Sequence, residues 1–157
     1  MKHIQNIFYA SVVNLLLLTS YTNSQTVTAE ISYGELVDKI TILTIKSKRI
    51  TTKSKLNNIY IELEALQRVY DEYIGNRTDV IQLQELLKTI NEILWEIEDA
   101  IRIKEHNQEF DNEFIELARN VYITNDKRFM IKKQIDILLG SHITEEKSYN
   151  EKLQINN

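Results

Sequence analysis

The chain of 157 residues contains no cysteine, no proline and only three glycines. Without cysteine it has no disulfide, no thiolate metal site, no cysteine nucleophile and no acylated N-terminal lipoprotein cysteine. Proline breaks helices and glycine weakens them, so their scarcity permits long helices. It argues against an all-β fold, which needs a turn residue every few positions. Histidine is scarce too. His106 and His142 fall in expected loops without a second histidine at ligand spacing, and His3 lies at the extreme N-terminus, so no metal site is expected. No glycine-rich phosphate loop and no nucleophile elbow is present, and no cofactor is expected. What remains is a composition 43% hydrophobic and 27% charged, enough to bury a core in one domain. The formal net charge of -4 disfavours a general grip on nucleic acid.

Residues 1–29 differ from the rest. Lys2 and His3 precede an apolar run, Ile7 to Leu18, and a polar stretch then ends Val27-Thr28-Ala29. A basic start, a short apolar run and small residues before a cut form an export signal, with cleavage expected after Ala29. The run is shorter than the ~20 residues that span a bilayer. An uncleaved N-terminal anchor and a buried first helix are the alternatives. Residues 1–29 hold one basic residue, Lys2, and no acidic one, leaving 18 basic against 23 acidic. The expected layout is a signal peptide at 1–29, a helical domain at 30–149 and a flexible tail at 150–157. The mature part is then periplasmic or secreted and has no transmembrane segment.

Ser32-Tyr33-Gly34-Glu35 has the capping-box pattern, in which Ser32 and Glu35 satisfy each other's amides at a helix start. Leu36, Ile40, Leu43 and Ile50 then share a face, with Ser47 filling one step. Whether this helix continues past Thr51-Thr52 is open. Leu56, Ile59, Leu63, Leu66, Tyr70 and Tyr73 form a second stripe, stopped by Gly75-Asn76, and Tyr60, Tyr70 and Tyr73 are read as packing. Thr78 or Asp79 should cap a third helix with the stripe Leu83, Leu87, Ile90, Leu94, Ile97 and Ile101. These two striped segments, joined by a short loop, are expected to pair as an antiparallel hairpin. A further helix should begin near Asp111 and turn at Thr124-Asn125-Asp126, with a last one ending at Gly140. The fold class is all-α: an antiparallel bundle of about four to five helices built on a long helical hairpin. Helical stripes of this kind also admit a homodimer.

Three polar groups are candidates for function. Asn91, Trp95, Glu98, Arg102 and Glu105 share one face beside the apolar stripe. There a carboxylate and a guanidinium could orient a ligand. The plain alternative is a Glu98–Arg102 pair one turn apart on a solvated flank. Partial burial is expected, in a network with Arg119 or a first-helix charge, shielded by Trp95 and Tyr122. Asp38 and Lys39, with Lys46 and Arg49, decorate the first helix and either face that cluster or solvent. Arg119, Asn125 and Asp126, with Arg128 and Lys132, surround the expected turn, where an anion could bind a helix N-terminus.

From Ile31 to Tyr149 the sequence resembles DUF6165, a small bacterial helical family of unknown function. The resemblance rests on Gly34-Glu35-Leu36-Val37-Asp38-Lys39 with Thr41-Ile42-Leu43, and on Asn91 with Leu94-Trp95-Glu96-Ile97-Glu98-Asp99. It continues through Leu117-Ala118-Arg119, Tyr122, Thr124-Asn125-Asp126, Leu139-Gly140-Ser141 and Glu145 to Tyr149. It implies a helical architecture and no particular activity. Separately, Glu35 to Ile40 through Lys48-Arg49-Ile50 is similar to the opening helix of helical chorismate mutases. That resemblance implies a cofactor-free enzyme whose cations clamp carboxylates, with Arg49, Lys39, Arg102 and Arg119 as the cations available. The leading expectation is a non-catalytic module that binds a protein or a small anionic ligand outside the cytoplasm; the alternative is a small enzyme of mutase type.

Overall fold

The computed structural model describes residues 26–148, so the apolar run at 7–18 and the tail at 150–157 lie outside the described residues. Four helices make up the regular structure of this part: α1, Tyr33–Arg49; α2, Lys53–Tyr73; α3, Thr78–Asn107; and α4, Asn112–Leu139. Ser32 caps α1, its hydroxyl accepting from the Glu35 amide at 3.1 Å. The reciprocal half of the capping box is not made, because the Glu35 carboxylate instead accepts from Lys132 Nζ at 2.7 Å. Ile50 and Thr52 are extended, so α1 and α2 are separate helices. Gly75, at φ +64°, turns the chain after α2. The N-cap of α3 is Arg77, one residue before Thr78 and two before Asp79, the expected caps, and no side chain caps it. Gln108 ends α3 in the left-handed region at φ 59°, and Asp111 caps α4 by accepting from the Phe114 amide at 3.0 Å.

Two expectations about these elements fail. Thr124-Asn125-Asp126 is not a turn, since α4 runs straight through it for 28 residues. Nothing there breaks a helix, and the polar side chains are used sideways: Asn125 accepts from Arg128 and Asp126 pairs with Lys147. Nor do α2 and α3 form the hairpin. The closest pairing is α3 with α4, while α2 packs on α1 and makes no close backbone approach to α3. Stripe spacing shows that a helix has a face to bury and leaves its partner open; a continuous α4 is long enough to match α3 along its length. Tyr60 and Tyr73 accordingly lie exposed, and only Tyr70 of the three packs in the core.

α1 is the hub. It packs against all three other helices, and Leu36, Val37, Ile40, Leu43 and Ile45 are all buried. The core joins Leu36, Val37 and Ile40 to Tyr70 of α2 and Ile74 just after it, to Val80, Leu87, Ile90 and Leu94 of α3, and to Ile131 and Ile135 of α4. Gly34 permits the closest approach. A methyl group there would lie 2.5 Å from the Lys132 carbonyl oxygen of α4.

Beyond this body the α3–α4 hairpin continues on its own among the described residues. No residue from Trp95 to Ile123 is buried, the mark of two helices with no third against them. Lys104 closes the far end, its ammonium 2.6 Å from Glu113, 2.9 Å from Asp111 and 3.3 Å from Glu109. Hydrogen bonds to Glu113 and then Asp111 raise the Lys104 pKa, and the same lysine lowers that of Asp111. After Gly140 the chain returns along α4. Glu145 meets Lys132 at 2.6 Å, Glu146 meets Lys133 at 3.4 Å, and Lys147 meets Asp126 at 3.2 Å.

Candidate functional site

The centre of the polar structure is Asp38. It sits between Val37 and Ile40 on the face of α1 that α3 and α4 cover, and it is completely buried. A buried carboxylate is tolerated only when paired and hydrogen-bonded. Here Arg128 of α4 forks onto it, Nε donating to Oδ1 at 2.9 Å and Nη2 to Oδ2. Asn91 of α3 adds a donor, Nδ2 to Oδ1 at 2.9 Å, and the same amide donates to Thr41 Oγ1 at 2.9 Å. The Thr41 hydroxyl then donates to the Asp38 backbone carbonyl at 2.8 Å. The hydrogen bonds to Asp38 raise the Arg128 pKa against an opposing effect of burial. Three helices are thus tied by one charge-assisted fork and one amide.

A second layer lies a turn away. Asp136, buried on α4, accepts from the Gly34 amide at 2.6 Å. It supplies an anion to the α1 N-terminus, where unsatisfied amides favour negative charge. Lys132, also buried, bridges Glu35 of α1 and Glu145 of the returning segment. Burial lowers its pKa and the two carboxylates outweigh that, so the net direction is upward.

Beside Asn91 opens a cleft of about 410 Å³ between α1 and α3, closed at one end by Arg128. Ile42, Ile45, Leu94 and Trp95 give it an apolar floor, and Lys46, Glu98, Asp99 and Arg102 edge it. Among the described residues Lys46 is the one cation of that edge without a carboxylate partner: Arg102 pairs with Glu98 at 2.8 Å and reaches Asp99 at 3.7 Å. Arg49, at the rim, lies over the Trp95 ring at 5.5 Å and bonds Glu96, which holds the indole in place.

The residues singled out in the sequence divide among these places. Asp38 and Asn91 belong to the buried fork, and Trp95, Glu98 and Arg102 line the cleft. Glu98 and Arg102 are exposed, however, with side chains 47% and 66% accessible, and no first-helix charge or Arg119 joins them. The expected half-buried network is therefore absent at this pair; Asp38, Asn91 and Arg128 form it instead, because among the described residues no third helix covers the hairpin beyond Trp95. Lys39 points to Glu62 of α2 at 3.5 Å, and Arg119 pairs with Glu116 on its own helix. Asn125 and Asp126 lie on α4 beside Arg128 and Lys147. The four cations considered for mutase chemistry are not gathered in one cavity: only Arg102 lines the cleft, with Arg49 at its rim. Sequence reasoning passed over Thr41 and Asp136. A carboxylate directly after a core residue of a helix was the available signal, Asp38 after Val37 and Asp136 after Ile135.

The segments that resemble a family lie far apart in sequence and meet at the fork, Gly34–Leu43 from α1, Asn91 from α3 and Thr124–Asp126 one turn before Arg128. A family model matches residues 27–156. The chain belongs to DUF6165, a family of unknown function. No curated protein and no solved structure matches it. DUF6165 membership covers all four helices and the returning segment, and assigns no chemistry to the cleft.

Proposed function

We propose that this DUF6165 member is an exported, non-catalytic binding module whose cleft beside Trp95 takes a small anionic ligand with an apolar body, such as an aromatic carboxylate. The observation that carries this reading is the pairing of an apolar floor with Lys46, a cation that has no carboxylate partner among the described residues. Sites for small molecules are mostly apolar with a few placed polar groups that fix orientation. The two acids at the rim, Glu98 and Asp99, are exposed and engaged by Arg102, an arrangement suited to holding a shape rather than moving a proton. Export is supported by the apolar run ahead of residue 27, where the family match starts.

Trp95 is the only tryptophan in the chain, so its fluorescence reports on the cleft directly. Titration with benzoate, succinate and inorganic phosphate should give a saturable change with benzoate and weaker ones with the other two. Lys46→Glu should abolish it without altering the thermal melt. A flat response to all three anions removes the small-ligand reading and leaves a protein segment as the occupant. Chorismate turnover on the same protein tests the enzymatic alternative, which requires a rate above buffer. Mass spectrometry of the N-terminus from the native envelope tests export: a start at Glu30 is expected, and a cytoplasmic protein retaining Met1 would refute it.

A further inference from the structure

The outer face of α4 holds the returning segment through Asp126–Lys147 and Lys133–Glu146, and its large apolar side chains are left without cover among the described residues. Phe114, Leu117, Val121, Thr124, Arg128, Ile131 and Ile135 step by three and four along the side of α4 that meets α3 and α1. Opposite them runs a second apolar stripe: Ile115, Tyr122, Met130 and Ile137, stepping by seven, eight and seven residues, with Ile123 alongside. These side chains are exposed, Tyr122 and Met130 each at 59%. Arg119 and Asp126 lie on the same face, so it is a row of apolar side chains interrupted by two opposite charges, a pattern a matching row can cover.

We propose that this face binds a second copy of the chain in an antiparallel, two-fold symmetric pair of α4 helices. Two-fold pairing requires a surface complementary to itself, residue i meeting residue j while j meets i. α4 offers such a register. An axis between Tyr122 and Ile123 gathers those two side chains from both copies. It sets Arg119 level with Asp126 of the second copy, and Asp126 level with that copy's Arg119. Ile115 and Met130 fall at the same height on either side. Opposite charges therefore meet twice, flanking an apolar centre. Arg119 and Asp126 already hold Glu116 and Lys147 within the chain, so each charge is shared with, not withdrawn from, its present partner. Taking about 200 Å² for a large side chain, Ile115, Tyr122, Ile123 and Met130 expose roughly 400 Å² per copy. That is about half of the ~800 Å² per partner of a stable interface, with the polar flank of the hairpin to supply the remainder. The pairing would also cover the part of the hairpin where no residue is buried.

Sedimentation equilibrium on the purified chain is the test. Wild type is expected to be a dimer, and Tyr122→Glu a monomer with an unchanged far-UV circular dichroism melt. Arg119→Asp and Asp126→Arg should each weaken association by about tenfold, and the double exchange should restore it, because charge complementarity sets register. Restoration separates this pairing from general hydrophobic association. A wild-type monomer, which would give the face to a different protein, overturns the proposal, as does a double exchange no tighter than the single variants.

Discussion

Replacing Arg128 with methionine tests whether the buried fork is held by charge or only by shape. The Asp38 side chain is 1% accessible and that of Arg128 is 29%. Arg128→Met therefore leaves a fully enclosed carboxylate with Asn91 as its one side-chain donor, and a buried charge stripped of its partner costs about 3–5 kcal/mol. Asp38→Asn strands a guanidinium that borders the open cleft and can hydrate, so its cost should be smaller, about 1–3 kcal/mol. The double variant carries neither charge and keeps the Asn91 hydrogen bond to the residue-38 side-chain oxygen. It should be about 2 kcal/mol more stable than Arg128→Met alone, a coupling typical of residues in one network. Urea denaturation followed by circular dichroism gives all four midpoints, read at a common slope. If adding Asp38→Asn to Arg128→Met lowers stability further, the stranded-charge reasoning is refuted, and the fork matters only as packing.

Other outcomes follow from single contacts. Gly34→Ala should destabilise by about 1–3 kcal/mol although alanine is the better helix former, because the new methyl meets the rigid Lys132 backbone; a more stable variant would show that α1 and α4 can separate freely. The buried Tyr70 hydroxyl has no hydrogen-bond partner among the described residues, and burial first and Asp71 second raise its pKa. Tyr70→Phe should then be neutral or stabilising by up to about 1 kcal/mol in thermal melts, and a clear loss would reveal a partner. Glu98→Gln and Arg102→Met should each change the unfolding free energy from urea titration by less than about 1 kcal/mol, as surface pairs do, while altering the Trp95 titration. Lys104 holds the Asp111 carboxyl below the usual carboxylate range. A depressed folded pKa stabilises above the unfolded value and is lost as pH falls through the folded one. The protection factor of the Phe114 amide, taken after correction for the intrinsic exchange rate, should therefore be full above the unfolded carboxylate value and fall as pH drops through the lower folded one.

The chain's own chemistry settled much of this protein. Apolar residues every three or four positions call for helices, and the absence of proline lets them run long. Ser32, Gly75, Asp111 and Gly140 mark helix ends through local effects, an oxygen in reach of an amide or a backbone free to turn left-handed. Such effects act within one turn, so sequence spacing carries them. The turn expected at Thr124-Asn125-Asp126 shows the limit, since residues that favour caps also sit inside a helix when other elements occupy their side chains. Pairing is a question of distance between segments. The stripes of α2, α3 and α4 share one period, so periodicity could not say that α3 chooses α4 or that α1 lies at the hub. The same holds for the site. Asp38 and Arg128 are separated by 90 residues and Gly34 and Asp136 by 102, and only tertiary packing turns them from helix decorations into a buried fork and a cap. Glu98 and Arg102, by contrast, were legible as a pair because they lie one turn apart. Their exposure was not, because it depends on a third helix that ends before reaching them.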